Sequence, residues 1–444
     1  MKFFERWWWP AFIPVYALWV FPIPGLLDGG SPSKIAVATL WLAVGLIINW
    51  VAYPTLRLSD IIHLPRALLK HPPVLVALLF GIWTLIASSF SDYPGISYSG
   101  TLNGLSDGAV WNCALCLVFV CVYIHTARDP DLKRRMALSL VASASLMVVL
   151  SGIEIVTGKG LFYNVASAAS LPVVGFYGRG HLMGILALAA GAALALWFTG
   201  AKWALAPVSA LAALIGYSFH RAPWLAILPV IPLGWWVTKR FSITFVAGLV
   251  VASSIALGIF AGTQARTGVA RDLGSDNTLS TRGLLWKAAV SGIAQRPLTG
   301  WGGGQFQYEF YRFWSVPERK TFFKLEFGTV YLGVIGEGKI NPIFKITDAR
   351  GNRTNTLISL WKAHNQLLDV GIMWGLPGLI LYILLVLYSL RGVFRLEPLA
   401  VGLLVYQFFL VSWYVIQDSE GIFFVLMGAS AVFIKQAQAS KPTA

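Results

Sequence analysis

The chain has 444 residues, of which 57% are hydrophobic and 12% are charged. A soluble domain carries roughly 25% charged residues, so this composition excludes an ordinary water-soluble globule and predicts a protein embedded in lipid. The formal net charge of +15 fits loops that set membrane topology or bind anionic groups. We expect membrane lipids as partners and no nucleic acid.

Twelve apolar stretches predict transmembrane helices, since a helix needs about 20 mostly apolar residues to cross a bilayer. The first is long enough to remain in the bilayer and is followed by no small-residue cleavage pattern, so we expect no cleavable signal peptide. The predicted fold is an all-α integral membrane protein. The stretches centre on residues 8–25, 35–53, 73–90, 109–125, 137–157, 181–199, 203–219, 222–238, 243–261, 366–390, 398–416 and 421–434.

The distribution of lysine and arginine predicts the topology. With the N-terminus in the cytoplasm, the cytoplasmic segments hold 16 basic residues and the short outer loops hold 4, which are Lys34, Lys159, Arg179 and Arg221. This bias follows the positive-inside rule and places both termini in the cytoplasm. We therefore predict transmembrane helices 1–9 in residues 1–261, a large outer loop subdomain in residues 262–364, and helices 10–12 with a cytoplasmic tail in residues 365–444.

The outer loop carries 14 basic and 7 acidic residues. Because long loops cross the membrane largely regardless of charge, this excess needs another reason, and an anionic substrate is the natural one. Within the loop, residues 282–295 read as an amphipathic helix that Arg282 opens and Arg296-Pro297 ends. Residues 300–304 read as a glycine-rich turn, and residues 322–346 contain short stretches typical of a hairpin.

The sequence lacks the usual patterns for nucleotide and metal sites. Cys113, Cys116 and Cys121 lie in one apolar segment, and small apolar packing explains them better than redox or metal chemistry. There is no GxxxxGK[ST] loop, no HExxH and no paired Cys/His pattern. We therefore expect no metal and no cofactor, with arginines neutralising any phosphate.

His364-Asn365 opens the tenth predicted helix and is followed, after nine residues, by Gly375-Leu376-Pro377-Gly378. The plainer interpretation is a histidine that caps a helix at the membrane interface. The functional interpretation is a general base, because a neutral imidazole accepts a hydroxyl proton near pH 7. Asp369 lies one helical turn further on and is a candidate to orient His364 or Asn365.

Three arginines are candidates for anion binding, since the planar guanidinium binds two phosphate oxygens at once. Arg221 follows His220 between two apolar segments with almost no loop, where a charge is costly. Arg282 stands at a predicted helix start, and Arg179 stands at the outer end of the sixth helix. Each also has a plain interpretation, as an arginine that reaches the headgroups or the solvent.

Two carboxylates, Asp418 and Glu420, fall in the predicted outer turn between the last two helices. A solvated turn is the commoner explanation of such a pair. The alternative is that one of them orients His364 or contacts the acceptor sugar.

The order of these motifs resembles the O-antigen ligase and polymerase superfamily, which are polytopic membrane glycosyltransferases. It runs from Arg221 in a short outer turn, through Thr281-Arg282 with Trp286 and Arg296-Pro297-Leu298-Thr299-Gly300-Trp301-Gly302, to His364-Asn365 with Gly375 and Gly378. The His-Asn, nine residues, Gly-x-x-Gly pattern is the most specific part and favours the ligase branch. The motifs cover mainly residues 221–378.

The resemblance implies a ligase of the bacterial inner membrane whose active site faces the periplasm. Such an enzyme takes a glycan from undecaprenyl pyrophosphate and joins it to a sugar of lipid A–core. By carry-over, Arg221 and Arg282 hold the pyrophosphate, Arg179 is a looser donor candidate, and His364 deprotonates the acceptor hydroxyl. Asp418 is a candidate match for an acidic residue of the family.

The expected reaction is one direct displacement at the anomeric carbon, which inverts the configuration. Three alternatives stay open. An O-antigen polymerase shares these helices and arginines but uses a second lipid-linked glycan, and a protein O-oligosaccharyltransferase accepts a serine or threonine. A lipid or polysaccharide transporter keeps ionisable groups at mid-membrane depth, whereas here nearly all charge lies at helix ends, with Glu154 the main exception.

Overall fold

The computed structural model describes residues 2–19, 31–52, 69–100, 107–158, 161, 174, 179–265, 277–335, 343–347, 351–357, 362–415 and 417–433. Within this part of the chain, six helices are long and apolar enough to cross a membrane, and four shorter helices are apolar. The protein is therefore a multi-pass helical membrane protein, as predicted. The six long helices are Pro72–Ser89, Ala109–Arg128, Asp131–Thr157, Gly180–Phe198, Phe241–Ala265 and Gln366–Arg395.

Up to residue 265, every secondary-structure element in the described part of the chain is a helix. Its helices are α1 (Lys2–Leu18), α2 (Ser31–Ala52), α3 (Pro72–Ser89), α4 (Pro94–Ser99), α5 (Ala109–Arg128), α6 (Asp131–Thr157), α7 (Arg179–Phe198), α8 (Leu205–Tyr217), α9 (Arg221–Ile227), α10 (Val230–Thr238) and α11 (Phe241–Ala265). A 3₁₀ turn at Lys202–Ala204 precedes α8.

Each predicted apolar stretch has a helix at its position, with one departure in this part of the chain. The stretch 222–238 forms two short helices, α9 and α10, instead of one. They meet at Pro229, which has no backbone N–H and whose ring obstructs the carbonyl four residues earlier. Residues 20–25 of the first stretch lie outside the described residues, and the count of twelve membrane crossings stays a prediction.

Helix α7 lies at the centre of the bundle, since 94% of its apolar stretch is buried inside the protein. Gly180, Gly184 and Gly191 are spaced by four and seven residues, which places them on one face. A Cβ at Gly184 would lie 2.5 Å from the Phe409 ring, and one at Gly191 would lie 2.6 Å from a Val405 methyl. Small residues thus bring α7 close to the helix that carries Val405 and Phe409, as is usual between membrane helices.

Helix α11 has the opposite character and lies at the periphery. Only 33% of its apolar stretch is buried inside the protein. Its exposed large apolar side chains include Phe245, Leu249, Leu257 and Phe260. Such apolar exposure is typical of a helix that faces lipid.

The segment between α11 and the next long helix forms a mixed subdomain of helices and a small sheet, which we call the outer subdomain after the side of the membrane predicted for it. Its elements are α12 (Asn277–Gln295), α13 (Phe306–Glu309), a 3₁₀ turn at Phe310–Phe313, α14 (Val316–Phe327), β1 (Val330–Ile335), β2 (Ile343–Thr347) and β3 (Arg353–Leu357). Helix α12 ends before Arg296-Pro297, as predicted, but it begins at Asn277, so the expectation that Arg282 opens it is wrong. Arg282 lies in the second turn.

The sheet is antiparallel with strand order β1-β2-β3. The pairing of β1 with β2 is of the hairpin type that the sequence predicts, whereas the third strand was not predicted. Phe344 on β2 packs against Phe310 and Phe323 at ring-centroid distances of 6.1 and 5.2 Å. The indole N–H of Trp314 donates to the Leu284 carbonyl on α12. An aromatic core therefore holds the sheet, α14 and α12 together.

The last three long elements are α15 (Gln366–Ser389), α16 (Pro398–Leu410) and α17 (Gln417–Ser430), with a 3₁₀ turn at Val393–Arg395. Helix α15 is broken at Gly375, whose φ of 68° and ψ of −175° are available essentially to glycine alone. A Cβ there would lie 2.1 Å from the Leu298 carbonyl oxygen. The break thus lets residues 297–302 approach the helix backbone.

Hydrogen bonds fix this approach. The backbone N–H groups of Trp301 and Gly302 donate to the carbonyls of Ile372 and Met373, and the N–H of Leu376 donates to Pro297. These bonds satisfy groups that the break frees from the helix. Two motifs that are about 75 residues apart in sequence therefore form one joint between the outer subdomain and α15.

Candidate active site

The rings of Trp413 and Tyr414, between α16 and α17, bring together two of the predicted site residues. The guanidinium carbon of Arg282 lies 5.4 Å from the centroid of the Trp413 ring, within the range of a cation–π contact. The imidazole of His364 meets Trp413 and Tyr414 edge-on, at centroid distances of 5.5 and 4.8 Å. Arg282 and His364 thus share one aromatic platform.

Two further histidines approach the same ring. His181, near the start of α7, and His220, just before α9, lie at centroid distances of 5.7 and 6.0 Å from Trp413. The Trp413 indole N–H donates to Nδ1 of His181 over 3.3 Å. A Cβ at Gly180 would lie 2.3 Å from the Trp413 ring, so only glycine permits this approach. We call the following residues the Trp413 cluster: His181, His220, Arg282, His364, Trp413 and Tyr414.

The start of α15 holds the segment that carries the two rings. The Asn365 side chain caps α15 by accepting from the N–H groups of Leu367 and Leu368. Its amide Nδ2 donates to the Val411 carbonyl, and the Gln366 side chain accepts from the Val415 N–H. The two residues that follow His364 thus hold the two ends of residues 411–415, Asn365 at Val411 and Gln366 at Val415.

His364 has a defined orientation. Its backbone φ is 58°, in the left-handed region that only a small share of non-glycine residues adopt. Its Nδ1 lies 3.2 Å from the Lys362 carbonyl oxygen. A carbonyl only accepts, so this bond requires the proton on Nδ1 and leaves the Nε2 lone pair available for another proton.

The surroundings keep His364 neutral. Burial, and then the positive charge of Arg282, lower the pKa of His364 from 6.5 to about 4. Burial also raises the pKa of the Tyr414 phenol to about 12. Both groups are therefore uncharged at pH 7, and the imidazole is in the form that accepts a proton.

Arg282 is half-buried on α12, and burial lowers the pKa of its guanidinium from the usual value, against the opposing effect of Glu326. A partly desolvated arginine interacts more strongly with an anion than one in bulk water does. The site therefore pairs a neutral base with a cation on the same ring.

Three other predicted site residues, two for the donor and Asp418 for the acceptor or His364, lie near the cluster in sequence. Arg221 begins α9 next to His220, and its side chain is exposed. Arg179 begins α7, two residues before His181, and Asp418 lies in the first turn of α17. The side chains of Arg179 and Asp418 lie outside the described residues, so the structure leaves their predicted roles open.

The two remaining carboxylates are buried. Asp369 accepts a 2.6 Å hydrogen bond from the N–H of Ala363, the residue before His364. Glu420 lies on α17, is 5% exposed and accepts from the Trp111 indole N–H over 2.7 Å. The interpretation of Glu420 as part of a solvated turn is therefore wrong, because α17 begins earlier than predicted and carries it into the bundle.

Sequence reasoning missed several members of the site. Trp413 and Tyr414 were lost among the many aromatic residues of the chain. His220 was noted only as the neighbour of Arg221, and His181 was not singled out. Lys362 was counted only among the basic residues of the loop, although a lysine beside a helix start that continues into an apolar run is a usable signal. Among the described residues, no group of three His, Cys, Asp or Glu side chains is placed to hold a metal ion.

Fold and site together define a class: a multi-pass membrane protein with a neutral histidine and an arginine gathered on an aromatic platform beside a basic outer subdomain. Residues 206–326 match the sequence profile of the family described as O-Antigen ligase. This confirms the predicted resemblance to the O-antigen ligase and polymerase superfamily. The match supports an O-antigen ligase or polymerase type of function, that of glycosyltransferase-like enzymes in lipopolysaccharide biosynthesis. No curated protein sequence matches the chain.

Proposed function

We propose that the protein is an O-antigen ligase. It transfers a glycan from undecaprenyl pyrophosphate to a sugar hydroxyl of lipid A–core, at the periplasmic face of the bacterial inner membrane. The observation that carries the proposal is the meeting of Arg282 and His364 on the Trp413 ring. The family match adds support, since its span of residues 206–326 includes Arg221 and Arg282.

The proposed reaction is a single displacement. The acceptor hydroxyl oxygen attacks the anomeric carbon while the bond from that carbon to the pyrophosphate oxygen breaks. The hydroxyl proton passes to Nε2 of His364, a contribution of about 10²–10⁴-fold in rate. Arg282 and Arg221, with Arg179 as a further candidate, offset the negative charge that builds on the departing pyrophosphate. The configuration at the anomeric carbon inverts.

Arg282 also couples donor binding to the strength of the base. In the free protein its positive charge lowers the pKa of His364. A pyrophosphate bound at Arg282 cancels part of that charge, so His364 becomes a better proton acceptor when the donor is present. The base is therefore strongest in the complex in which the reaction occurs.

The membrane orientation belongs to the proposal. Both termini are cytoplasmic, residues 262–364 form the periplasmic subdomain, and twelve helices cross the membrane. In this orientation the basic outer subdomain and the start of α15 lie on the side where the lipid-linked glycan is exposed. No nucleotide, metal or other cofactor takes part.

The decisive experiment offers purified protein a lipid-linked glycan with one acceptor at a time: lipid A–core, a second lipid-linked glycan, or an exported protein with serine and threonine. A glycan joined to lipid A–core supports the ligase. Chain growth on the lipid-linked glycan, or a glycosylated protein, transfers the assignment to a polymerase or a protein O-oligosaccharyltransferase. The release of lipid pyrophosphate, measured alongside, separates transfer from transport, which releases none.

A further inference from the structure

A buried lysine lies two residues before His364. Lys362 is 4% exposed, and its Nζ lies 2.5 Å from Oδ1 of Asp107. Burial alone lowers the pKa of Lys362, but the carboxylates of Asp107, Asp369 and Glu420 outweigh it and raise the pKa above its usual value. Lys362 is therefore a cation. We call Lys362, Asp107, Asp369 and Glu420 the buried ion cluster.

The proposed reaction gives these four side chains no direct part. Charged groups that are buried at a membrane protein's interior are costly unless they are paired, and they commonly serve a function. The cluster leaves little free space: Asp107, Lys362 and Glu420 line a cavity of about 10 Å³, room for roughly one water molecule. The Lys362 side chain therefore has little room to move.

The buried ion cluster is connected to His364 through the backbone. The Lys362 carbonyl oxygen faces Nδ1 of His364, and Asp369 accepts from the N–H of Ala363. Both residues before the histidine are thus fixed by the cluster. His364 itself has a φ of 58°, a conformation that persists only when its surroundings enforce it.

We propose that Lys362 is a positioning residue: paired with Asp107, it holds its own carbonyl against Nδ1 of His364, while Asp369 holds the N–H of the intervening Ala363, and Nε2 of His364 stays free for the acceptor proton. This inference rests on the proposed function, because it gives His364 the role of general base. It adds that the base depends on a buried lysine that touches neither substrate.

The test compares Lys362→Met with the wild-type enzyme in detergent or nanodiscs, using lipid-linked glycan and lipid A–core. We expect kcat to fall by roughly 100-fold, since a shift of about 1 Å in a reacting group has an effect of this size. The KM for the donor should change little. The low-pH limb of kcat/KM should move up toward 6.5. Burial is the largest effect that lowers the pKa of His364, so the water that a displaced imidazole gains outweighs the loss of the Lys362 carbonyl contact, which raises that pKa.

The pH limb distinguishes positioning from a loss of folded protein. Besides Lys362, the groups that contact His364 or act on its charge are Arg282, Tyr414 and His181, and this variant substitutes none of them. Fewer active molecules lower the rate at every pH and leave the limb in place. Lys133→Met is the matched control, because Lys133 pairs with Glu397 at 2.8 Å in a half-buried site away from the cluster. It should keep the wild-type kcat and limb.

A second variant keeps the proposal testable if Lys362→Met does not fold. Lys362→Met combined with Asp107→Asn removes both charges of the ion pair and leaves no orphaned carboxylate at that position. It should fold and still turn over slowly. Wild-type kcat with an unmoved limb, in either variant, overturns the positioning role.

The result is separable from the fate of the proposed function. If His364→Ala is inactive while Lys362→Met has wild-type turnover, the positioning role fails and the general base stands. If His364→Ala retains turnover, the base itself is wrong, and the positioning role falls with it. If both single variants are slow and Lys362→Met slows His364→Ala no further, the two residues act in one step, as proposed.

Discussion

Arg282 and Trp413 form a cation–π pair, with the guanidinium carbon 5.4 Å from the centroid of the indole ring. The edge of the same ring system meets His364 at 5.5 Å. One side chain therefore sets the distance between the group proposed to hold the donor and the group proposed to take the proton. The two are about 80 residues apart in the chain, and their relative placement depends on a tryptophan from a third segment.

Trp413→Ala should lower kcat/KM by about tenfold or more, since a cation–π contact at a partly desolvated site is worth roughly 1–2 kcal/mol and about 1.4 kcal/mol corresponds to tenfold. Trp413→Phe should be milder because it keeps a ring. Trp236→Ala is the control: Trp236 also stacks under a cation, Lys239, at 5.4 Å, but outside the Trp413 cluster. A full rate for folded Trp413→Ala would contradict the platform role.

Arg282→Lys and His364→Ala should impair the enzyme in different ways. Lysine keeps the charge but loses the planar fork, so we expect weaker donor binding and a fall in kcat/KM of about 10–100-fold, given roughly 1.5–3 kcal/mol for hydrogen bonds to a charged group. His364→Ala should bind the donor nearly as well as the wild type but lower the rate of transfer by about 10²–10⁴-fold. Binding of lipid-linked donor is measured beside transfer.

The control for Arg282→Lys is Arg319→Lys, because Arg319 also lies in the outer subdomain over an aromatic ring, that of Tyr311 at 5.5 Å. It should retain both binding and transfer. Normal turnover by folded His364→Ala would remove the centre of the proposed site.

Gly375→Ala should destabilise the joint between the outer subdomain and α15. The backbone at Gly375 lies in a region that is strained for other residues by about 1–3 kcal/mol, and the added methyl would meet the Leu298 carbonyl. We expect the Tm in detergent to fall by several degrees and transfer to weaken. Gly152→Ala, in α6 with nothing within 4 Å, should leave the Tm unchanged or slightly higher. Equal Tm values for both variants would contradict the joint.

Long apolar stretches located the helices, because such stretches depend on local composition alone. The helix start at Asn365 and the helix end before Arg296-Pro297 were predictable for the same reason: capping and proline chemistry act within a few residues. The predicted start of α12 was five residues too late. The first residues of the helix, which begins at Asn277, are mostly polar and show no apolar repeat that would mark the first turn. The break at Gly375 was visible only as a Gly-x-x-Gly motif without a stated cause.

The Trp413 cluster and the buried ion cluster were not predictable, because both depend on which faces of distant helices meet. Asp107 reaches Lys362 across about 250 residues, and Trp413 reaches His181 across about 230. Nothing local in the sequence distinguishes Trp413 from eighteen other tryptophans. The glycines of α7 explain the approach once the structure is known, since a side chain at Gly180 would exclude the Trp413 ring.

Transfer should survive EDTA. In the proposed mechanism arginines supply the positive charge that a divalent ion supplies elsewhere. The sequence has no HExxH, and no second Cys/His pair accompanies Cys113 and Cys116. The measurement is the rate of glycan transfer by purified enzyme before and after chelation, with magnesium added back. A loss that magnesium reverses would show that the arginines are insufficient.

The pH dependence follows from the environment of His364. General-base catalysis requires the neutral imidazole, so the rate falls as the pH drops through the pKa of that group. Burial and Arg282 lower this pKa to about 4, and the low-pH limb of kcat/KM, which reports the free enzyme, should therefore lie well below 6.5. The limb of kcat reports the enzyme with its substrates bound. It should lie higher, because the bound pyrophosphate cancels part of the charge on Arg282.

Arg282→Gln tests the cause of the lowered pKa of His364. Removing the positive charge takes away the second of the two effects that lower the pKa of His364, so the low-pH limb of the residual kcat/KM should move upward. Arg282→Lys retains a charge and should leave the limb near its wild-type position, although the rate is low. Arg319→Gln removes an arginine elsewhere in the outer subdomain and should leave both rate and limb unchanged. A wild-type limb at 6.5, or one that ignores Arg282→Gln, would mean that the titrating base is not the buried imidazole beside Arg282.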